Sequence, residues 1–257
     1  MAVLPLQKGI IYGPVNSKRL GRSLGINLLS CQKKICSFDC IYCHYGRTTE
    51  KTLKPTRNSL PSVEEVLVAV EQALQNNQKF DYLTFSGNGE PMLHLDFAKI
   101  VFEIKRLRDR YQPQIPLALL SNSSRLVDID DFDTLEAIDF RIFKLDTADE
   151  ELFQKINQPV AELKINMIID KLVYVSKHLP ITIQTVFIDG PIKNYDDETL
   201  NNWIKAVTKI KPISIQICST DRPVAKSEVK MLSNQKLNEI ATYIQKHTKI
   251  LTKAFFK

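Results

Sequence analysis

Short apolar, β-branched runs alternate along the chain with longer segments whose apolar residues recur at helical spacing, a pattern that predicts an α/β fold with a parallel sheet. Gly25 to Leu29, Tyr82 to Ser86, Leu117 to Ser121, Arg141 to Leu145, Ile181 to Ile188 and Ile213 to Cys218 read as strands. Each run is nearly continuous in apolar residues, as strands covered on both faces tend to be. Helical stripes lie between or after them: Val66, Val70 and Leu74 behind the capping box Ser62/Glu65; Phe97, Ile100, Val101, Ile104 and Leu107 behind Asp96 as a cap; Ile165, Ile168, Ile169, Leu172 and Val175. Leu200, Trp203, Ile204 and Val207 follow Asp196 and Asp197, and Leu237, Ile240 and Ile244 form the last stripe.

Six strand and helix alternations imply right-handed crossovers. They are too few for a closed eight-stranded barrel and suit an open, partial (β/α)6 barrel of the TIM type, with short N-terminal and C-terminal extensions. An open doubly wound sheet is the alternative. In both arrangements the site lies at the carboxyl ends of the strands. The chain has 257 residues and 44% apolar content, enough for one domain over 1–257, with a core of about 20–220 and a helix and tail over about 221–257.

Charged residues are well mixed, and the net charge of +6 is a mild bias that would attract acidic redox proteins or nucleic acid without being diagnostic of either. No apolar run approaches the roughly 20 residues that span a bilayer. Met1 to Lys8 lacks the long apolar stretch of a signal peptide. A cytoplasmic protein that does not engage membranes is therefore expected, and unpaired thiols agree with a reducing compartment.

Three of the five cysteines fall in Cys36-Ser37-Phe38-Asp39-Cys40-Ile41-Tyr42-Cys43, a C-x3-C-x2-C spacing. Three thiolates leave one iron of a four-iron cubane without a protein ligand, so a small molecule can bind there. The competing reading is a structural zinc knuckle with His44 as fourth ligand. Against it, adjacent ligands at 43 and 44 project in different directions, and a second ligand pair at short spacing is missing. Two thiols remain. Cys218 reads as a buried small hydrophobe inside a strand, and Cys31 lies beside the loop with nothing in the spacing requiring it as a ligand.

The cysteine spacing, with aromatic Tyr42 before the last thiol, resembles the signature of radical S-adenosylmethionine (radical SAM) enzymes. A second segment, Phe85-Ser86-Gly87-Asn88-Gly89-Glu90-Pro91, ends a strand and resembles the family's Gly-Gly-Glu-Pro turn, with Asn88 as a departure. Glycines there let backbone approach a ligand. The resemblance implies a 4Fe–4S cluster on Cys36, Cys40 and Cys43. It also implies SAM on the free iron, lying along Gly87, Asn88, Gly89 and Glu90, with Glu90 facing its ammonium and Tyr42 near its adenine. Asn122 occupies the position of a family hydroxyl or amide near SAM. Lys144 and Asp146, two residues apart on one strand face, match a charged pair that contacts the ribose and carboxylate, in reversed order. Gln184 and Gln216 interrupt apolar strands and so face an interior.

From Tyr12 to the end of the last strand the chain is similar to a stand-alone, wybutosine-synthase-like group of radical SAM proteins described as iron-sulfur oxidoreductases. Gly46-Arg47-Thr48-Thr49, Asp221-Arg222-Pro223 and the basic loop Lys18, Arg19 and Arg22 belong to that likeness. The basic loop reads either as a grip on an anionic substrate or as a solvated surface. The resemblance implies reductive cleavage of SAM to a 5′-deoxyadenosyl radical, recharged by a low-potential donor such as flavodoxin or ferredoxin. The substrate would be a small molecule or a tRNA nucleoside. A glycyl-radical activase acting on a protein, and a non-catalytic zinc module, are the alternatives.

Overall fold

The computed structural model describes residues 3–76, 78–128 and 132–256. Its main sheet takes in β1 (Ile11–Ser17), β2 (Gly21–Ile26), β5 (Tyr82–Phe85), β6 (Leu117–Ser121), β7 (Phe140–Lys144), β8 (Thr182–Val186), β9 (Ser214–Cys218) and β10 (Thr252–Phe255), in that spatial order. A small second sheet pairs β3 (Ile35–Cys36) with β4 (Glu50–Lys51). The helices are α1 (Val63–Gln75), α2 (Phe97–Tyr111), α3 (Asp133–Glu136), α4 (Glu150–Ile156), α5 (Ile165–His178), α6 (Asp197–Ile210) and α7 (Asn234–Thr248).

Strands β2 and β5 to β10 run parallel, and β1 turns back antiparallel onto β2. The sheet curls into a half-barrel with helices on its convex side, the partial barrel expected. All six predicted strands are present. The two edge strands were not foreseen, because β1 has no fully buried residue and β10, Thr-Lys-Ala-Phe, shows no apolar run. Between β6 and β7 the connection is a 3-10 turn and the four-residue α3, where the sequence has no helical stripe.

The helix starts follow local chemistry. Ser62 and Glu65 form the reciprocal capping box of α1, and the Asp196 side chain accepts from Thr199 N–H at the head of α6. Asp96 does not cap α2: its carboxylate is drawn instead into an ion pair with Arg57.

One expectation is corrected. The strands are not apolar on both faces. Leu83, Phe85, Leu117, Leu119, Phe143, Ile183, Ile215 and Ile217 join the helical stripes in the main core. Many of their neighbours on the concave face are polar: Ser23 bonds Thr84 across 2.7 Å, Thr182 bonds Ser214 across 2.9 Å, and the Tyr12 hydroxyl meets Ser86. Helices cover only the convex side, so the concave side retains hydrogen-bonding groups. Toward the amino ends of the strands, Leu20 packs on Ala118 and Ile142 and closes the half-barrel from below.

Candidate functional site

Just beyond β2 the chain leaves the sheet and forms the cysteine loop, which is pinned from four directions. Ile35 N–H donates to Asn88 O (3.1 Å) and Ile35 O accepts from Glu90 N–H (3.3 Å), tying the loop to the glycine turn after β5. Asp39 N–H and Ile41 N–H donate to Asn157 O and Ile156 O at the end of α4, at 3.0 and 2.9 Å. Thr52 N–H bonds Cys36 O (3.1 Å), and Lys226 N–H, from the segment after β9, bonds Ile41 O (3.0 Å). With its backbone fixed this way, the loop holds its thiols in place before any ligand arrives.

Cys36 and Cys40 are buried and Cys43 is partly exposed. Their sulfurs meet donors: the Asn122 amide lies 3.5 Å from Cys36 Sγ, Phe38 N–H 3.5 Å from the same atom, and the Asn157 amide 3.4 Å from Cys40 Sγ. Burial pushes the Cys36 thiol up to about 12, against the opposing charge of Lys34, and burial raises Cys40 against Lys144. Lys34 is itself buried and its Nζ donates to Gly46 O at 2.8 Å. Burial works to lower Lys34, but the neighbouring Cys43, Cys36 and Cys40 outweigh it and hold it raised. Burial outweighs this cation in the metal-free protein, but a fixed positive charge beside three sulfurs would offset the charge they carry as thiolate ligands.

These features fit a 4Fe–4S cluster: three sulfurs on one pinned loop, amide donors directed at two of them, and a buried positive charge to offset theirs. The zinc set gains nothing comparable. His44 Nε2 faces Asp221 at 3.9 Å.

The glycine turn sits directly against the loop. Gly87 and Gly89 have φ of +128° and +145°, and a Cβ on Gly89 would lie 1.6 Å from Ile35 O. Asn88, the departure from the family pattern, is fully buried, accepting from Gln7 N–H (2.8 Å) and donating to Gln7 O and Ser30 O (both 2.9 Å). Its side chain therefore ties the turn to the N-terminal segment. Glu90 is buried too, accepting from Ser121 Oγ (2.9 Å), Met92 N–H (3.1 Å) and Asn122 N–H (2.6 Å). Burial pushes its carboxyl up to about 7 despite those donors.

That shift has a pH consequence. Because the folded pKa lies above the ordinary 4.5, the native state holds a proton the unfolded chain has released, and stability falls as pH rises from about 4.5 to about 7. The loss is on the order of 3 kcal/mol. Thermal melts of the cluster-free protein between pH 5 and 8 should show this decline, and Glu90→Gln should remove most of it. An unchanged slope in the variant would reject the assignment.

The remaining predicted residues meet at the carboxyl ends of β7 and β8. Tyr42 donates its hydroxyl to Asp146, whose carboxylate also accepts from Asn157 Nδ2 (2.7 Å) and Val186 N–H (2.9 Å). Lys144 Nζ lies 3.2 Å from the Tyr42 oxygen and 4.8 Å from its ring centroid. Gln184 stands beside Lys144 in register, with Nε2 3.7 Å from Cys218 Sγ. The Tyr42 face remains the aromatic surface toward Lys144, while its hydroxyl is committed to Asp146. Sequence reasoning missed Asn157, which touches Cys40, Tyr42 and Asp146 at once, and Lys34. Asn157 ends a helix more than a hundred positions from the loop, and Lys34 is one of two adjacent lysines, so neither carried a spacing signal.

Of the basic loop, Arg22 pairs with Asp81 at 2.8 Å, at the other end of the strands. Lys18 reaches Asp221 at 3.1 Å, beside the cysteine loop. Among the described residues no helix is long and apolar enough to cross a membrane.

Comparison with known proteins agrees with this geometry. Residues 33–204 match the Radical SAM superfamily. A UPF0026 protein of Methanocaldococcus jannaschii is 34% identical over 95% of this chain and 73% of its own length. A protein of Brachyspira hyodysenteriae named GTPase Obg is 33% identical over 93% of this chain, which spans only 34% of that protein. Among solved structures, a radical SAM methyltransferase from Sphaerobacter thermophilus superposes with a TM-score of 0.64 at 12% identity, over 91% of this chain and 66% of that one. TYW1, solved with a lysine-pyruvate adduct bound, gives 0.60 at 16% identity over 88% and 73%. With its half-barrel, its three-thiol loop and these matches, the chain belongs to the radical SAM superfamily and to the UPF0026 proteins.

Proposed function

We propose that this protein is a radical SAM enzyme that cleaves SAM reductively at a 4Fe–4S cluster held by Cys36, Cys40 and Cys43. The observation that carries the reading is the buried thiol loop, with Lys34 set against all three sulfurs and the Asn122 and Asn157 amides directed at two of them. When bound, the cluster supplies one electron to SAM, giving methionine and a 5′-deoxyadenosyl radical that takes a hydrogen atom from the substrate.

The chain's own residues bind, orient and shield. Cys36, Cys40 and Cys43 would hold the cluster, and the glycine turn, tied to the loop at Ile35, would present backbone N–H and C=O groups to the SAM position beside it. Glu90, Asn122, Lys144, Asp146 and Gln184 line the approach to that position. Tyr42 offers an aromatic face there. The curled sheet keeps bulk water from the reacting atoms. The substrate is a small molecule or a tRNA nucleoside, the latter supported by the likeness to the wybutosine-type group. The donor is a flavodoxin or ferredoxin, for which the net charge of +6 favours acidic partners.

Anaerobic reconstitution with iron and sulfide should give about four irons and four sulfides per chain. Dithionite-reduced protein should then turn SAM into 5′-deoxyadenosine, read by chromatography. One zinc per chain without labile sulfide would return the loop to the zinc reading.

A further inference from the structure

Three segments far apart in sequence meet at the open side of the half-barrel. They are the β1–β2 turn, the cysteine loop and the stretch after β9. Asp221 is their hinge, with Lys18 at 3.1 Å, Arg222 at 3.8 Å and His44 at 3.9 Å. Arg19 and Lys144 are near enough for their charges, like that of Arg222, to act on the His44 ring. Lys144 is answered by Asp146. One mouth carboxylate, Asp221, therefore faces Lys18 and Arg222, while Arg19, next to Lys18 in the chain, has no carboxylate partner among the described residues.

The wall behind this mouth is polar rather than apolar. Gln216 stands in register with Gln184, one step from the Thr182–Ser214 pair, and its Oε1 is buried with no hydrogen-bond partner among the described residues. A buried amide oxygen without a donor is costly, and on the strand face that carries Gln184, Thr182 and Ser214 it offers an acceptor for a ligand's hydroxyl or amine. An aliphatic substrate would leave the Gln216 oxygen unpaired.

We propose that the half-barrel binds a small hydrophilic substrate carrying an acid group, phosphate or carboxylate, which Arg19 and Arg222 hold at the mouth while Gln216 accepts a hydrogen bond from its body. Guanidinium groups suit this role because their planar donors match both acids. The Lys18–Asp221 pair ties the turn bearing Arg19 to the segment bearing Arg222. This inference names the substrate class for the proposed radical SAM reaction and rests on that reading.

The test is calorimetric titration of the anaerobically reconstituted full chain at low ionic strength, with inorganic phosphate in one arm and succinate in the other. One saturable site for at least one probe is expected, and the arm that binds identifies the acid. Arg19→Gln and Arg222→Gln should each weaken it about tenfold or more, one charge-assisted pair being removed. Lys105→Gln, on the outer helix α2, should leave it unchanged. No saturable binding, undiminished binding in both arginine variants, or displacement of the probe by added SAM would overturn the proposal, the last because the arginines would then serve the SAM carboxylate. Failure of the radical SAM reading registers separately, as absence of 5′-deoxyadenosine in protein that still binds the anion.

Discussion

Alanine at Cys36, Cys40 or Cys43 is expected to cut 5′-deoxyadenosine formation by roughly 10³-fold or more, since each change removes one of three iron ligands and no fourth thiol stands in reserve. Iron content after anaerobic reconstitution should fall with it. Cys31→Ala and Cys218→Ala should keep about four irons per chain, the full complement of the cluster. Cys31 sits beside Asn27, and Cys218 faces Gln184 on the β9 wall, so neither sulfur belongs to the loop. Asn157→Ala is the informative intermediate. It deletes the donor to Cys40 Sγ and the bonds to Asp146 and Tyr42 while leaving every ligand, and a loss of about 10- to 100-fold in cluster retention or activity is the usual size for such a support. Iron lost from Cys218→Ala but retained in Cys40→Ala would show the ligand set to be misassigned.

Gly89→Ala is expected to cost more stability than the same change at any other glycine of the chain. At φ +145° the new Cβ would lie 1.6 Å from Ile35 O, a backbone atom that cannot swing aside as a side-chain tip would. Relief requires the turn to part from the cysteine loop, breaking the Ile35–Asn88 and Glu90–Ile35 bonds. The combination of a glycine-only conformation and a backbone collision is worth about 4 kcal/mol or more. For a chain of this size that is a fall of about 10 °C in Tm. Cluster retention should fall too, because the same two bonds position Cys36. Gly9→Ala, with its nearest contact at 3.5 Å, is the control and should melt within about a degree or two of the parent. A normal melting temperature for Gly89→Ala would mean that the turn is not held against the loop in this way.

Much of the fold was legible because its signals are short-ranged. The helical stripes and the Ser62/Glu65 box are set by spacings of three and four residues, and each strand announced itself in five or six. β10 escaped because its pairing comes from β9 and its cover from α7, both outside the segment itself. Asp96 went wrong for a related reason: a cap is a local inference, and Arg57, from a different part of the chain, took the carboxylate. Strand polarity was misjudged because the alternate Ser, Thr and Gln residues looked like interruptions of a core rather than one continuous face.

Residue order was enough to establish the thiol chemistry, because a C-x3-C-x2-C spacing places three sulfurs within one loop whatever surrounds it. What stands around those sulfurs came from folding. Asn157 reaches Cys40, Lys144 reaches Tyr42, and Lys18 reaches Asp221 across 203 residues only because folding brings a helix end, a strand end and a turn from distant parts of the chain together. The difference is one of range: ligand spacing is a property of a few consecutive bonds, whereas the charge, hydrogen bonding and exposure around a site are sums over neighbours that folding chooses.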